Sequence, residues 1–235
     1  MSESPPVRVV VIDFDGTICP QDVSEEILRS FAPPSWWDID LEFQRGEIGS
    51  RECLVRQAAL LEGSQDEMLA FALERYRLEP SFRPFVDWAL GAGMEVAVAS
   101  DGFGFYVEPM LRAGGVDGVS VLTNGLTLGA DGPRFAFPNA HPVCVGCGTC
   151  KMRTVLGYRQ RAGPVAFVGE GHTDRYGALY SDLVFAKKHL VDICRQDGVR
   201  FLAWETFDDV RTGIERAREL PGPVAPDLCP GWTLP

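Results

Sequence analysis

Apolar residues along the chain fall into two rhythms. Val9, Val10, Val11 and Ile12 follow one another with no polar break, the pattern of a strand buried on both faces of a sheet. Similar short runs return at 94–99, 165–168 and 181–186, and a further edge strand is expected at 199–204. Between the first two runs the spacing becomes helical: Val23, Ile27, Leu28 and Phe31 share one face, then Leu54, Ala58 and Leu61, then Leu69, Leu73 and Tyr76. Asp22 with Glu25 three residues on marks a helix start, and Pro33-Pro34 and Gly63-Ser64 mark breaks. Helices are also expected at 84–90, from Lys151 onward with Met152, Val155 and Leu156 on one face, at 187–195 and at 208–218. Val119 to Leu128, with Asn124-Gly125 in its middle, predicts a short hairpin. The stretch from Pro221 holds five of the seventeen prolines and predicts an irregular strap.

Strands alternating with helices predict an α/β fold, a doubly wound and mostly parallel sheet. The helical block at 20–80 has no strand-like alternation, so it predicts a small all-helical cap inserted after the first strand. Residues 1–19 and 81–235 would then form the core domain, and 20–80 the cap domain. Composition narrows the partners. The net charge of −11 and the lack of a basic stripe argue against a nucleic-acid surface. No apolar run is long enough to cross a bilayer, and the peptide before Val7 lacks a signal-like pattern, so no membrane partner and a cytoplasmic location are the expectation. Oligomeric state stays open between monomer and homodimer.

Candidate chemistry gathers where the apolar runs end. Asp13 and Asp15 follow the first run and point the same way if the strand continues; two adjacent carboxylates repel unless they share a cation, and an oxygen-only donor set suits Mg²⁺. Gly16 lets the chain turn and approach an anion. Ser100 ends the second run, followed by Asp101 and Gly102, and a small hydroxyl there can hydrogen-bond a phosphoryl oxygen. Lys151 stands at a helix start, where its ammonium would offset nearby carboxylates and an incoming phosphate. Glu170 and Asp174 follow the run at 165–168 in a glycine-flanked loop, and His172 between them reads as an exposed or supporting imidazole. His141, Cys144, Cys147 and Cys150 fall at intervals of three. That spacing leaves two readings open, zinc ligation and buried thiols; seven cysteines and no export-like segment fit reduced thiols or ligands better than a disulfide framework.

D-F-D-G-T behind an apolar strand, Ser100, Lys151 and the Glu170–Asp174 loop come in the order of the four motifs of the haloacid dehalogenase superfamily, and the chain resembles its phosphoserine phosphatase-like branch, with a helical insert between the first two motifs. S-D-G-F-G-F-Y-V-E-P and D-L-V-F-A-K-K-H-L add to that resemblance. The resemblance implies a Mg²⁺-dependent phosphatase of a small phosphorylated metabolite, with Asp13 as nucleophile, Asp15 as general acid and base, and Ser100 and Lys151 holding the phosphoryl oxygens. It implies metal ligation by Asp13, Asp15, Glu170 and Asp174, where Glu170 replaces the usual aspartate. Substrate contacts would come from Asp22, Arg56, Asp101 and Gly102. The alternative is a phosphate-binding or regulatory protein in which Glu170 has impaired catalysis.

Overall fold

In the computed structural model, which describes residues 5–129, 131–224 and 229, the first apolar run is β1 (Val9–Ile12), and it lies in the middle of a seven-stranded sheet. The other strands are β2 (Glu95–Phe103), β3 (Ser120–Gly129), β4 (Gly132–Ala136), β5 (Val165–Gly169), β6 (Leu183–Ala186) and β7 (Leu202–Ala203), in the order β4-β3-β2-β1-β5-β6-β7. All neighbours are parallel except β3 and β4. β1 pairs with β2 on one side (Ile12 opposite Val98) and with β5 on the other (Ile12 opposite Val168), so the strand order reverses at β1. Ligands bind at such a reversal, beyond the carboxyl ends of the strands.

Every residue of β1 is fully buried, and the pleat divides them: Val10 and Ile12 join the core on one face, Val9 and Val11 the core on the other. Helices cover both faces. They are α5 (Phe82–Gly91), α6 (Gly104–Ala113), α7 (Lys151–Ala162), α8 (Arg175–Tyr180), α9 (His189–Asp197) and α10 (Phe207–Arg216). Phe82, Phe85, Trp204 and Phe207 meet between α5 and α10, with Phe82 and Phe207 ring centroids 4.8 Å apart.

Four helices intervene between β1 and α5: α1 (Val23–Phe31), α2 (Trp36–Gln44), α3 (Ser50–Ala58) and α4 (Gln65–Arg75). Asp22 caps α1 by accepting from the Glu25 N–H at 2.8 Å. Ser64 and Glu67 form a reciprocal capping box that starts α4 at the expected break. Gln57 of α3 donates to the Trp36 carbonyl, and Arg56 reaches Glu42 with two hydrogen bonds at 2.5 and 2.8 Å, so α2 and α3 are held together.

One expectation is corrected. Asn124-Gly125 is not a turn: it lies inside the continuous strand β3, and the antiparallel pairing runs from Gly125 opposite Ala136 to Gly129 opposite Gly132. Asn124 is buried and its amide is used, donating to the Asp101 carbonyl at 2.7 Å and accepting from Thr149 Oγ1 at 3.3 Å. Those tertiary bonds override the local turn preference. Most of the proline-rich stretch after Pro221 lies outside the described residues.

Candidate active site

The carboxyl ends of β1, β2 and β5 open into one cavity of about 440 Å³. Asp13, Asp15, Ser100, Asp101, Gly102 and Glu170 line its floor, and Ser24, Glu25, Asp40, Ser50, Cys53 and Gln57 of α1, α2 and α3 line the opposite wall. Asp13 keeps its N–H in the sheet, donating to the Val168 carbonyl at 3.0 Å, so its side chain leaves a rigid backbone. The chain then turns at Gly16, whose φ of +70° a side chain would strain. A Cβ there would also meet the Glu170 carboxyl carbon at 2.7 Å, which brings the acid of the β5 loop directly over the β1 loop.

Asp15 is fixed from two sides. Its Oδ1 accepts from the Val23 N–H at 2.9 Å at the start of α1, and its Oδ2 accepts from the Tyr106 hydroxyl at 2.8 Å. Gly102 permits this approach, since a Cβ there would lie 2.0 Å from the Tyr106 oxygen and 2.8 Å from Asp15 Oδ2. Ser100 is buried, and its Oγ accepts from the Gly102 N–H at 2.9 Å. Asp101 Oδ1 accepts from the Thr149 N–H at 2.6 Å, which ties the β2 loop to the segment that leads into α7.

Lys151, the first residue of α7, lies beneath the cavity with its side chain 2% exposed. Its ammonium donates to Asp13 Oδ1 at 2.7 Å, Asp174 Oδ1 at 2.6 Å and Thr173 Oγ1 at 3.1 Å, which uses all three protons. Asp174 is fully buried; its Oδ2 accepts from the Glu170 and Gly171 N–H groups at 2.8 and 3.0 Å and so shapes the loop. Both of its oxygens are therefore engaged, and it stands behind Lys151 rather than on the cavity wall. Glu170 faces the cavity and pairs with the Lys188 ammonium at 2.9 Å. Lys188 has a φ of +46°, unlike any other non-glycine residue described, and the imidazole of His189, the next residue, stacks on that of His172 with centroids 5.5 Å apart.

Burial and crowding set the protonation of these groups. Burial raises the Asp13 pKa well above the usual carboxylate range, with the Asp174 charge adding to it and Lys151 opposing it. Asp15 is pushed up to about 6, chiefly by burial, against the lowering hydrogen bonds from Tyr106, Val23 and Ser24. For Lys151, burial alone would lower the pKa, but Asp13, Asp174 and Asp101 outweigh it and hold the ammonium charged above the ordinary lysine value.

Asp22 also lines the cavity, at its exposed mouth. Arg56 does not: its guanidinium is held by Glu42 and lies 3.6 Å from Glu52, away from the lining. Tyr106, Thr149, Thr173 and Lys188 were not legible as site residues. Tyr106 lies far along the chain from Asp15, and Lys188, although within the D-L-V-F-A-K-K-H-L stretch, carries no local sign of the ion pair it makes with Glu170.

Among the described residues, no group of three or more His, Cys, Asp or Glu side chains is placed to hold a metal ion. The donor set nonetheless suits a hard divalent cation. Asp13, Asp15 and Glu170 line one cavity, the first two with pKa values raised chiefly by burial, and Gly16 leaves the space that the Glu170 carboxylate occupies.

Comparison with known proteins follows the same lines. The family profile described as haloacid dehalogenase-like hydrolase matches residues 10–175. A protein of Bacillus velezensis named 2-hydroxy-3-keto-5-methylthiopentenyl-1-phosphate phosphatase is 28% identical, over 90% of this chain and 92% of its own length. One of the same name from Geobacillus thermodenitrificans is 30% identical, over 88% and 96%. Among solved structures, a phosphoserine phosphatase from T. onnurineus covers 93% of this chain and 99% of its own, with a TM-score of 0.66 at 18% identity. A HAD family hydrolase from Salmonella enterica covers 91% and 73%, with a TM-score of 0.71 at 14% identity. Both structural likenesses concern the fold.

Proposed function

The chain belongs to the haloacid dehalogenase-like hydrolases, and from that premise we propose that it is a Mg²⁺-dependent phosphatase that dephosphorylates a small metabolite through an aspartyl-phosphate on Asp13. The observation that carries this reading is the meeting of Asp13, Asp15, Ser100 and Glu170 on one wall, with the Lys151 ammonium 2.7 Å from Asp13 beneath them.

Asp13 attacks phosphorus. Lys151 holds its Oδ1, so the second oxygen is the one available as nucleophile; burial and the Asp174 charge raise the carboxyl pKa, and the buried ammonium opposes them in favour of the ionised form. Asp15, with a pKa near 6, carries the proton that the leaving alkoxide takes. Once ionised it accepts a proton from the water that hydrolyses the acyl phosphate, and Asp13 is restored. The Tyr106 hydroxyl and the Val23 N–H keep its oxygens from rotating between the two steps. The Ser100 hydroxyl offers a donor to the phosphoryl oxygens, and the Lys151 ammonium, its three protons already placed, adds positive charge beneath them. Asp13, Asp15 and Glu170 would hold Mg²⁺, which supplies positive charge against the carboxylates and the phosphoryl group.

The four helices α1 to α4 act as a cap that closes the cavity and selects the alcohol. Their wall presents Ser24, Glu25, Asp40, Ser50 and Gln57 and no arginine, and a narrow apolar cleft lined by Ile27, Leu28, Ala58, Phe103 and Phe105 adjoins it through Ser24, Leu54 and Gln57. This supports a substrate with an uncharged tail, like the one in the relatives' names, over one with a carboxylate.

The test is phosphate release from 2-hydroxy-3-keto-5-methylthiopentenyl-1-phosphate, phosphoserine and an aryl phosphate, with and without Mg²⁺. Metal-dependent turnover that Asp13→Asn abolishes is expected, and turnover surviving in Asp13→Asn overturns the nucleophile. The Glu170–Lys188 pair favours a second reading, a site slowed by a cation already on its acid. A large gain in rate for Glu170→Asp would support it.

A further inference from the structure

The acid that meets the leaving group stands at the mouth of the narrow apolar cleft. Asp15 Oδ1 accepts from the Ser24 N–H at 3.4 Å and its Oδ2 from the Tyr106 hydroxyl at 2.8 Å, and Ser24 and Tyr106 both line that cleft. An alcohol that takes its proton from Asp15 therefore leaves beside the opening. One face of α3 joins the two spaces. Ser50 and Cys53 border the large cavity, Leu54 and Gln57 border both, and Ala58 borders the cleft alone, the order in which residues three and four apart succeed one another along a helix.

The polar groups at the opening are already engaged: the Tyr106 hydroxyl by Asp15, and the Gln57 amide by the Trp36 carbonyl at 3.4 Å. Beyond them Ile27, Leu28 and Ala58 on the side of the helical insert and Phe103 on the side of the sheet are buried and apolar. The cleft holds about 20 Å³, little more than the roughly 10–15 Å³ that one water needs, so its room is for a single methyl-sized group. We propose that it is the subsite for the far end of the leaving alcohol: the substrate is a phosphate monoester with a linear apolar tail ending in one such group, and Ala58, the smallest side chain on the wall, sets the size accepted.

This rests on the phosphatase reading above and adds the shape of the alcohol. Because the walls come from α1 and α3 on one side and from β2 and α6 on the other, a seated tail touches both and holds the insert over the phosphoryl group.

The experiment measures binding of linear alkylphosphonates, methyl to octyl, and of isomers ending in tert-butyl, by titration calorimetry with Mg²⁺ present, beside phosphate release from the matching alkyl phosphates and an aryl phosphate. Phosphonates are not hydrolysed, so binding is read apart from turnover. Affinity should rise about fourfold per methylene until the end group fills the cleft and then stop rising. A tert-butyl end should weaken binding about tenfold or more against the linear isomer. Ala58→Val should cut the ratio of the best tail's affinity to that of methylphosphonate by about tenfold, and Leu61→Ala, which widens the cleft, should admit the branched end. A merely structural role for either residue would weaken all members alike and leave the ratio. A flat series in protein that still releases phosphate from the aryl ester overturns the subsite alone, a graded series without phosphate release from any ester overturns the phosphatase reading alone, and no phosphonate bound overturns both. Should Ala58→Val fail to fold, Leu61→Ala decides: acceptance of the branched end supports the subsite, and continued rejection overturns it.

Discussion

Lys151→Met is the most informative single change, because it separates the lysine's electrostatic role from its bulk. The side chains of Lys151, Asp13 and Asp174 are 2%, 9% and 0% exposed, so the substitution leaves two buried carboxylates facing each other with no cation. Breaking a buried ion pair by removing one partner costs about 3–5 kcal/mol. For a chain of this length each kcal/mol lowers the melting temperature by about 2–4 °C, so a fall of roughly 6–20 °C is expected in metal-free buffer. Asp13→Asn is the counterpart: its amide oxygen still accepts from Lys151, Asp174 still pairs with the ammonium, and one repelling charge is gone. That variant should melt within about 1 kcal/mol of wild type while losing all turnover. The Lys151 pKa is raised in the folded state, so its contribution is fully present below the ordinary lysine value of 10.5 and is lost only as pH rises past it. Urea and thermal melts near neutral pH therefore read it in full. A Lys151→Met protein within about 1 kcal/mol of wild type would refute the reasoning, since burying the ammonium would then have cost as much as its three hydrogen bonds return.

Three further outcomes follow from the same geometry. Asp15 has a folded pKa of about 6 against 3.8 unfolded, so its proton favours the folded state; that contribution is present below about pH 4 and lost as pH rises through 6, and the wild-type minus Asp15→Asn difference in melting temperature, measured in chelator, should fall over that window and flatten when Mg²⁺ is added. Lys188→Met frees Glu170 from a half-exposed pair worth up to about 1 kcal/mol, so Mg²⁺ binding by titration calorimetry should tighten by up to about fivefold; weaker binding would show that Lys188 supports the site. Gly49→Ala places a Cβ 2.3 Å from the Gly146 carbonyl oxygen and pushes α3 off the cysteine loop, for a loss of about 1–3 kcal/mol in denaturant unfolding.

The sheet was legible wherever one residue type determined burial. Val9 to Ile12 can only be a two-sided strand, and the acids after it can only leave at its end, so the placing of Asp13 and Asp15 follows from the run itself. Glu170 follows from the same logic directly after β5, whereas Ser100, expected at a strand tip, lies inside β2, where the pairing with β3 is irregular between Ala99 and Phe103. What the letters hid was set by contacts between remote segments. Tyr106 reaches Asp15 from α6, a helix that carries Pro109 within it and reads as a break. Arg56 looked free to meet a substrate carboxylate because nothing local shows that Glu42, on the preceding helix, faces it. Asn124-Gly125 has the composition of a turn and is straightened by Asp101 and Thr149. α2 has no clean apolar face, since Trp36 and Ile39 are buried while Trp37 is exposed, and so its period was unreadable.

The two flanks of the sheet bear on how the protein behaves when concentrated. On one margin β4 is five residues long with Pro133 in it, so it lacks one of the amide hydrogens an incoming strand would need; on the other, β7 offers only two residues. Both described edges are therefore poor templates for strand addition, which disfavours growth of the folded chain edge to edge. Aggregation would have to begin with unfolding, and its onset should track the melting temperature rather than protein concentration alone.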